Sequence, residues 1–172
     1  MNVHEEMAAK VPARLERAVC EARRIRKNLV RLRRDTDLGG DCGLASVLLA
    51  DALCDVNSLR HTADIFGRYC TPHVWNEIDG VVVDVTATQF NDSSESDDAG
   101  EAPVFGVLVT RTPRIYHGPI AGRGRQTLAY LFAMSWYDDR DHRGLSAAME
   151  RLRICADSEK QVVYKACKEQ IP

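Results

Sequence analysis

The sequence has no Cys-x-x-Cys pair, no apolar run long enough to cross a membrane and no internal repeat. The six cysteines, Cys20, Cys42, Cys54, Cys70, Cys155 and Cys167, lie at irregular intervals. Without paired cysteines a four-cysteine zinc site has no ligand set. Cys70-Thr-Pro-His73 has a ligand-like gap, but no second pair completes it. Asp138, Asp139, Asp141 and His142 read as a solvated loop between helices. No metal and no cofactor is expected. A spanning helix needs about 20 apolar residues, so no membrane association is expected either. The opening, MNVHEEMAAKVPARLERA, lacks the apolar core of a signal peptide, and a cytoplasmic protein is expected. Scattered cysteines in that reducing compartment are mostly buried thiols.

What is present fits one soluble domain with a sizeable core: 172 residues, 45% apolar and 28% charged. The net charge of −2 names no partner, yet arginines crowd the first thirty-odd residues and acids crowd 91–101. Val11, Leu15, Ala18, Val19, Ala22, Ile25, Leu29 and Leu32 recur at helical spacing, with Arg14, Arg17, Arg23, Arg24 and Arg31 on the opposite face. Such a face is either solvated or a docking surface for an acidic partner. A nucleic-acid partner is not favoured, because no docking motif or stacking aromatic accompanies the arginines.

After the turn Leu38-Gly39-Gly40-Asp41, the stretch CGLASVLLADALC, from Cys42 to about Asp55, is apolar nearly all round and reads as a buried helix. A hairpin over Val74–Thr86 follows, then a polar loop over Asn91–Gly100 and a buried strand, VFGVLVT, over Val104–Thr110. An irregular link runs from Thr112-Pro113 through Gly118-Pro119. Helices are predicted over Gln126–Tyr137, Leu145–Cys155 and Glu159–Gln170. The expected organisation is a single domain: a basic helix in 1–36, a core in 38–118 and C-terminal helices in 124–172.

The hairpin carries the chemistry. Asp79-Gly80 suits a two-residue type I′ turn, which pairs Ile78 with Val81 and Trp75 with Asp84. Side chains alternate across a strand. Val74, Asn76, Ile78, Val81, Val83 and Val85 therefore share the core face, while His73, Trp75, Glu77, Val82, Asp84 and Thr86 share the other. His73 and Asp84 become diagonal neighbours about 7–8 Å apart at the backbone, within reach of an imidazole. A carboxylate there fixes the histidine tautomer and leaves the second nitrogen as a base. An unpaired carboxylate among valines would be costly, so Asp84 needs a partner.

Such a base needs a nucleophile. Cys42 opens the buried helix, where the dipole and free N–H groups favour a thiolate and can hold an oxyanion. Cys70 is the second choice, since it lacks a helix start. Cys20 and Cys54 read as packing residues. Cys42, His73 and Asp84 then form a nucleophile–base–orienter set suited to acyl transfer through a thioester.

GDCGLASVLLADAL followed by HVWNEIDGVVVDVT resembles the core of transglutaminase-like enzymes, within the wider papain-like cysteine hydrolase superfamily. The matching positions of the second motif are His73, Trp75, Asp79-Gly80, Asp84 and Thr86. Val85 stands where that family often has proline, and no glutamine precedes Cys42 to serve as the papain-type oxyanion donor. The resemblance covers about residues 38–110 and implies an α+β fold with a nucleophile helix packed on an antiparallel sheet. It also implies Cys42 as nucleophile, His73 as general base, Asp84 as orienter and Trp75 as a substrate-binding wall beside the histidine. The expected activity is cleavage of an amide bond in a peptide, protein or small amide, of peptidase, amidase or glutamine deamidase type. The alternatives are transfer to an amine acceptor and a non-catalytic binding module.

Overall fold

A computed structural model describes residues 3–62, 73–92, 100–133 and 147–154, with side chains from residue 13 onward. Within these residues the fold is α+β. Helix α1 spans Val3–Arg33 and α2 spans Cys42–Leu53. Five short strands follow: β1 Leu59–Thr62, β2 Val74–Ile78, β3 Val81–Asp84, β4 Leu108–Thr110 and β5 Ile120–Arg123. Helix α3 is Arg125–Ala133, and α4 covers 147–154. The strands form one antiparallel sheet in the order β4-β3-β2-β1-β5.

The hairpin of β2 and β3 has the expected register, with Ile78 opposite Val81, Glu77 opposite Val82 and Asn76 opposite Val83. Asp79 at φ +53° and Gly80 at φ +74° both occupy the left-handed region, as a type I′ turn requires. Val74, Ile78, Val83 and Val85 face the main core. There they meet Ala18, Ala22, Ile25 and Leu29 of α1 and the apolar face of α2. Buried α3 and α4 residues, including Leu128, Leu131, Met149 and Leu152, complete that layer.

The arginines of α1 bind the molecule to itself. Arg14 pairs with Asp55 and with Asp79 of the hairpin turn. Arg17 donates to the Ala52 carbonyl. Arg26 donates to the carbonyls of Val85 and Thr36 at 2.9 and 2.7 Å. Arg33 forks onto both oxygens of Asp41 at 3.1 and 2.8 Å.

Five expectations need correction. The strand read over 104–110 is only Leu108–Thr110, on the sheet edge; Gly106 at φ +111° breaks the extended run, and Phe105 is 90% exposed. The link ending at Gly118-Pro119 leads into a strand, β5, that pairs with β1, and neither strand was anticipated. Leu32, assigned to the apolar stripe of α1, and Cys20 and Cys54, expected to pack, are all exposed. The second face of the hairpin is buried too, with Trp75, Val82, Asp84 and Thr86 all nearly inaccessible.

Among the described residues no helix is long and apolar enough to cross a membrane. Cys70, Cys155, Cys167, the Asp138–His142 cluster, most of the acidic loop and the helix expected over Glu159–Gln170 lie outside the described residues.

Candidate active site

Polar bonds buried under the sheet fix where α2 meets β2. Ser46 Oγ donates to the Val74 carbonyl at 3.0 Å, and Asn76 Nδ2 donates to the Ser46 carbonyl at 3.2 Å and to Ser58 Oγ at 2.9 Å. Cys42 lies four residues before Ser46, about one helical turn away on the same face. His73 directly precedes Val74. The start of α2 is thus brought to the start of β2. The His73 backbone is held in turn by β1, accepting from Thr62 N–H at 3.0 Å and donating to Thr62 Oγ1 at 2.9 Å.

His73 and Asp84 meet. Nε2 of His73 lies 2.7 Å from Asp84 Oδ2, with both residues buried. The other oxygen, Oδ1, accepts from Thr86 N–H at 2.9 Å and Thr86 Oγ1 at 3.2 Å, which gives the Asp-x-Thr spacing its physical reason. Nδ1 of His73 is buried and has no hydrogen-bond partner among the described residues. Burial works against a charge on His73, but the Asp84 carboxylate, and after it Cys42, overcome burial and raise its pKa to about 9. Burial likewise opposes the Asp84 charge. His73 and the hydrogen bond from His117 outweigh it and hold the carboxyl well below its usual range.

No family model, curated protein or solved structure matches the chain.

Aromatic rings wall the imidazole. Trp75 stacks on His73 with ring centres 5.8 Å apart, while Phe90 and Tyr116 stand edge-on at 4.8 and 5.7 Å. Phe90 also stacks on Tyr116 at 4.0 Å. Trp75 Nε1 is buried and has no hydrogen-bond partner among the described residues. Such an orphaned donor is costly and asks for an acceptor.

At the other end of the site, Asp41 occupies the N-cap position of α2 yet makes no side-chain cap bond. Its carboxylate is held by Arg33 instead. The first amides of α2 are thereby left without a carboxylate cap, in a position suited to a developing negative charge.

Sequence reasoning missed His117. It ends a 3-10 turn, Ile115–His117, and its Nε2 lies 3.0 Å from the same Asp84 Oδ2 that His73 uses. The ligating atoms of His73, Asp84 and His117 fall within 4.8 Å of one another, a spacing that also invites a metal reading. The hydrogen bonding of His117 disfavours it. Its Nδ1 accepts the Arg114 N–H at 2.9 Å, so in the neutral ring Nε2 carries the proton and points it at Asp84. A neutral histidine binding a metal through Nε2 would need that proton on Nδ1.

Proposed function

We propose that this protein is a cysteine-dependent hydrolase that cleaves an amide bond through a thioester, on a core of transglutaminase-like, papain-like type. The observation that carries the reading is the histidine itself: His73 is bonded to Asp84 through Nε2, its Nδ1 is unpartnered among the described residues, and Cys42 is among the groups that favour its charge.

In this mechanism the sulfur of Cys42 attacks the amide carbonyl and forms the C–S bond. The carbonyl oxygen takes up negative charge against the amides that open α2. Protonated His73 gives its Nδ1 proton to the departing amine as the C–N bond breaks, leaving a thioester on Cys42. Neutral His73 then removes a proton from the attacking water. The water oxygen bonds to the thioester carbon, the C–S bond breaks, and the acid leaves with Cys42 as thiolate and His73 protonated, as at the start. Asp84 holds the imidazole in one tautomer throughout. Trp75 stacks on His73 and is buried, so its part in this mechanism is to wall the imidazole.

A second reading is transfer of the acyl group to an amine. The aromatic wall of Trp75, Phe90 and Tyr116 supports it, since a dry site slows attack by water on a thioester. The test is to incubate the protein with an acyl-amide library and with peptide mixtures, then map adducts by mass spectrometry. An acyl group on Cys42 that is absent from Cys42→Ala is the expected result. Free acid alone identifies the hydrolase, while incorporation of an added primary amine identifies the transferase. The absence of an adduct at Cys42 with every amide, ester and thioester offered would replace this reading with a non-catalytic binding module.

A further inference from the structure

The second histidine on Asp84 has no part in the three-residue set. It is buried, it faces the carboxylate directly, and its remaining nitrogen is committed to a backbone amide. We propose that His117 is a positioning residue of this site: its neutral imidazole donates through Nε2 to Asp84 and holds the carboxylate that orients His73. The proposal rests on the functional reading above for its purpose, though not for its geometry.

Every lone-pair direction of Asp84 is engaged. Oδ2 accepts from His73 and His117, and Oδ1 accepts from the Thr86 amide and hydroxyl. The carboxylate therefore has no freedom to rotate away from His73 without breaking bonds on both oxygens. The Arg114 N–H is the element that decides direction. A backbone amide can only donate, so Nδ1 must accept and Nε2 must donate. The ring is further clamped between Trp75 at 5.0 Å and Tyr116 at 4.5 Å.

Burial keeps His117 neutral against the pull of the carboxylates beside it. Burial disfavours its charge first of all. Asp84 on β3 and Glu101 on the neighbouring loop pull the other way, and His73 at the start of β2 adds repulsion when protonated. One positive charge is accommodated beside Asp84, and His73 holds it. A neutral donor on Oδ2 also draws electron density from the carboxylate. The grip of Asp84 on the His73 proton is then weaker than an unshared carboxylate would exert.

The experiment is a titration of the histidines by nitrogen-15 NMR in the full chain. In the unaltered protein, His117 is expected to show a protonated Nε2 and an unprotonated Nδ1 across neutral pH. The reverse tautomer, or a charged ring at pH 7, overturns the proposal without any variant. His117→Phe keeps a ring and removes the donor; the His73 titration is expected to move upward by about one unit. His117→Gln, whose amide N–H can reach the Nε2 position, is expected to restore most of that shift. A folded His117→Phe in which His73 titrates unchanged reduces His117 to packing and overturns the proposal. If His117→Phe does not fold, the tautomer of the unaltered protein and the titration of His117→Gln decide. The outcome is independent of the thioester reading: an His73 titration that follows His117, in a protein that never forms an adduct at Cys42, keeps the positioning role and removes the catalytic one.

Discussion

Replacing Asp84 by asparagine keeps the shape of the side chain and removes its charge, so it isolates what the carboxylate does for His73. The parent His73 titrates at about 9 against an ordinary 6.5. That difference corresponds to about 3 kcal/mol of preference for the charged imidazole, at about 1.4 kcal/mol per unit. Without the carboxylate, burial is the first-ranked influence left, and His73 is expected to titrate at or below its ordinary value. The hydrogen bonds cannot all survive. Asp84 accepts at both oxygens, whereas asparagine accepts at one and donates at the other. If the amide nitrogen faces Thr86, the Thr86 N–H loses its acceptor, at a cost of about 1–3 kcal/mol. If it faces the histidines, His73 must move its proton to Nδ1, the side meant to receive one. Stability then changes with pH in a defined sense. The raised His73 value contributes stability that is complete below about 6.5 and is lost as pH rises through about 9. The depressed Asp84 value contributes stability that is present above the ordinary carboxylate range and is lost only in acid. Urea unfolding between pH 6 and 9.5, alongside the His73 titration, reads both effects. The parent should lose stability across that range and Asp84→Asn should lose little. Equal slopes, with His73 still titrating near 9 in the variant, would sink the account of the ion pair.

Brief alkylation near neutral pH followed by peptide mapping should label Cys42 ahead of Cys20 and Cys54, although those two are exposed, because Cys42 alone among the three adjoins a charged imidazole and a helix start. Fastest labelling at Cys70 would transfer the nucleophile there. Phe90 is half-buried and edge-on to His73, so Phe90→Ala should open the ring to reagents and speed that labelling; an unchanged rate would show that access lies elsewhere. Gly122→Ala should destabilise the fold by about 1–3 kcal/mol in urea, since a Cβ there would sit 2.3 Å from His61 Cε1 and force that ring off Thr127. A neutral result would mean that the β1–β5 pairing can yield.

The hairpin was legible because one local feature decides it. Asp79-Gly80 sets the turn, the turn sets the register, and a period of two then assigns every side chain to a face. That chain of steps carries His73 to Asp84 without any long-range information. The position of Cys42 was legible as a helix start, but its approach to His73 depends on Ser46 and Asn76, whose buried bonds join α2 to β2 and leave no trace in an apolar pattern. His117 was invisible for a related reason. It lies 33 residues beyond Asp84, on a short turn whose place is set by tertiary packing. The four-residue strands β1 and β5 include arginines and a glycine and show no alternation, so only their non-local pairing reveals them. The stretch 104–110 failed in the opposite sense: its composition suits a strand, and one glycine at positive φ cuts it to three residues.

The arginines of α1 give the site a mechanical property. Arg33 grips the residue just before the cysteine, Arg26 grips the residue just after the aspartate, and Arg14 grips the turn that joins the two site strands. A single rod is thus tied to three points around one small machine. A twist or a tug on α1 would be delivered to nucleophile and carboxylate in the same instant, and their alignment would be kept or lost as a unit. Helix α1 is, in this sense, the spine against which the most delicate distances of the site are gauged.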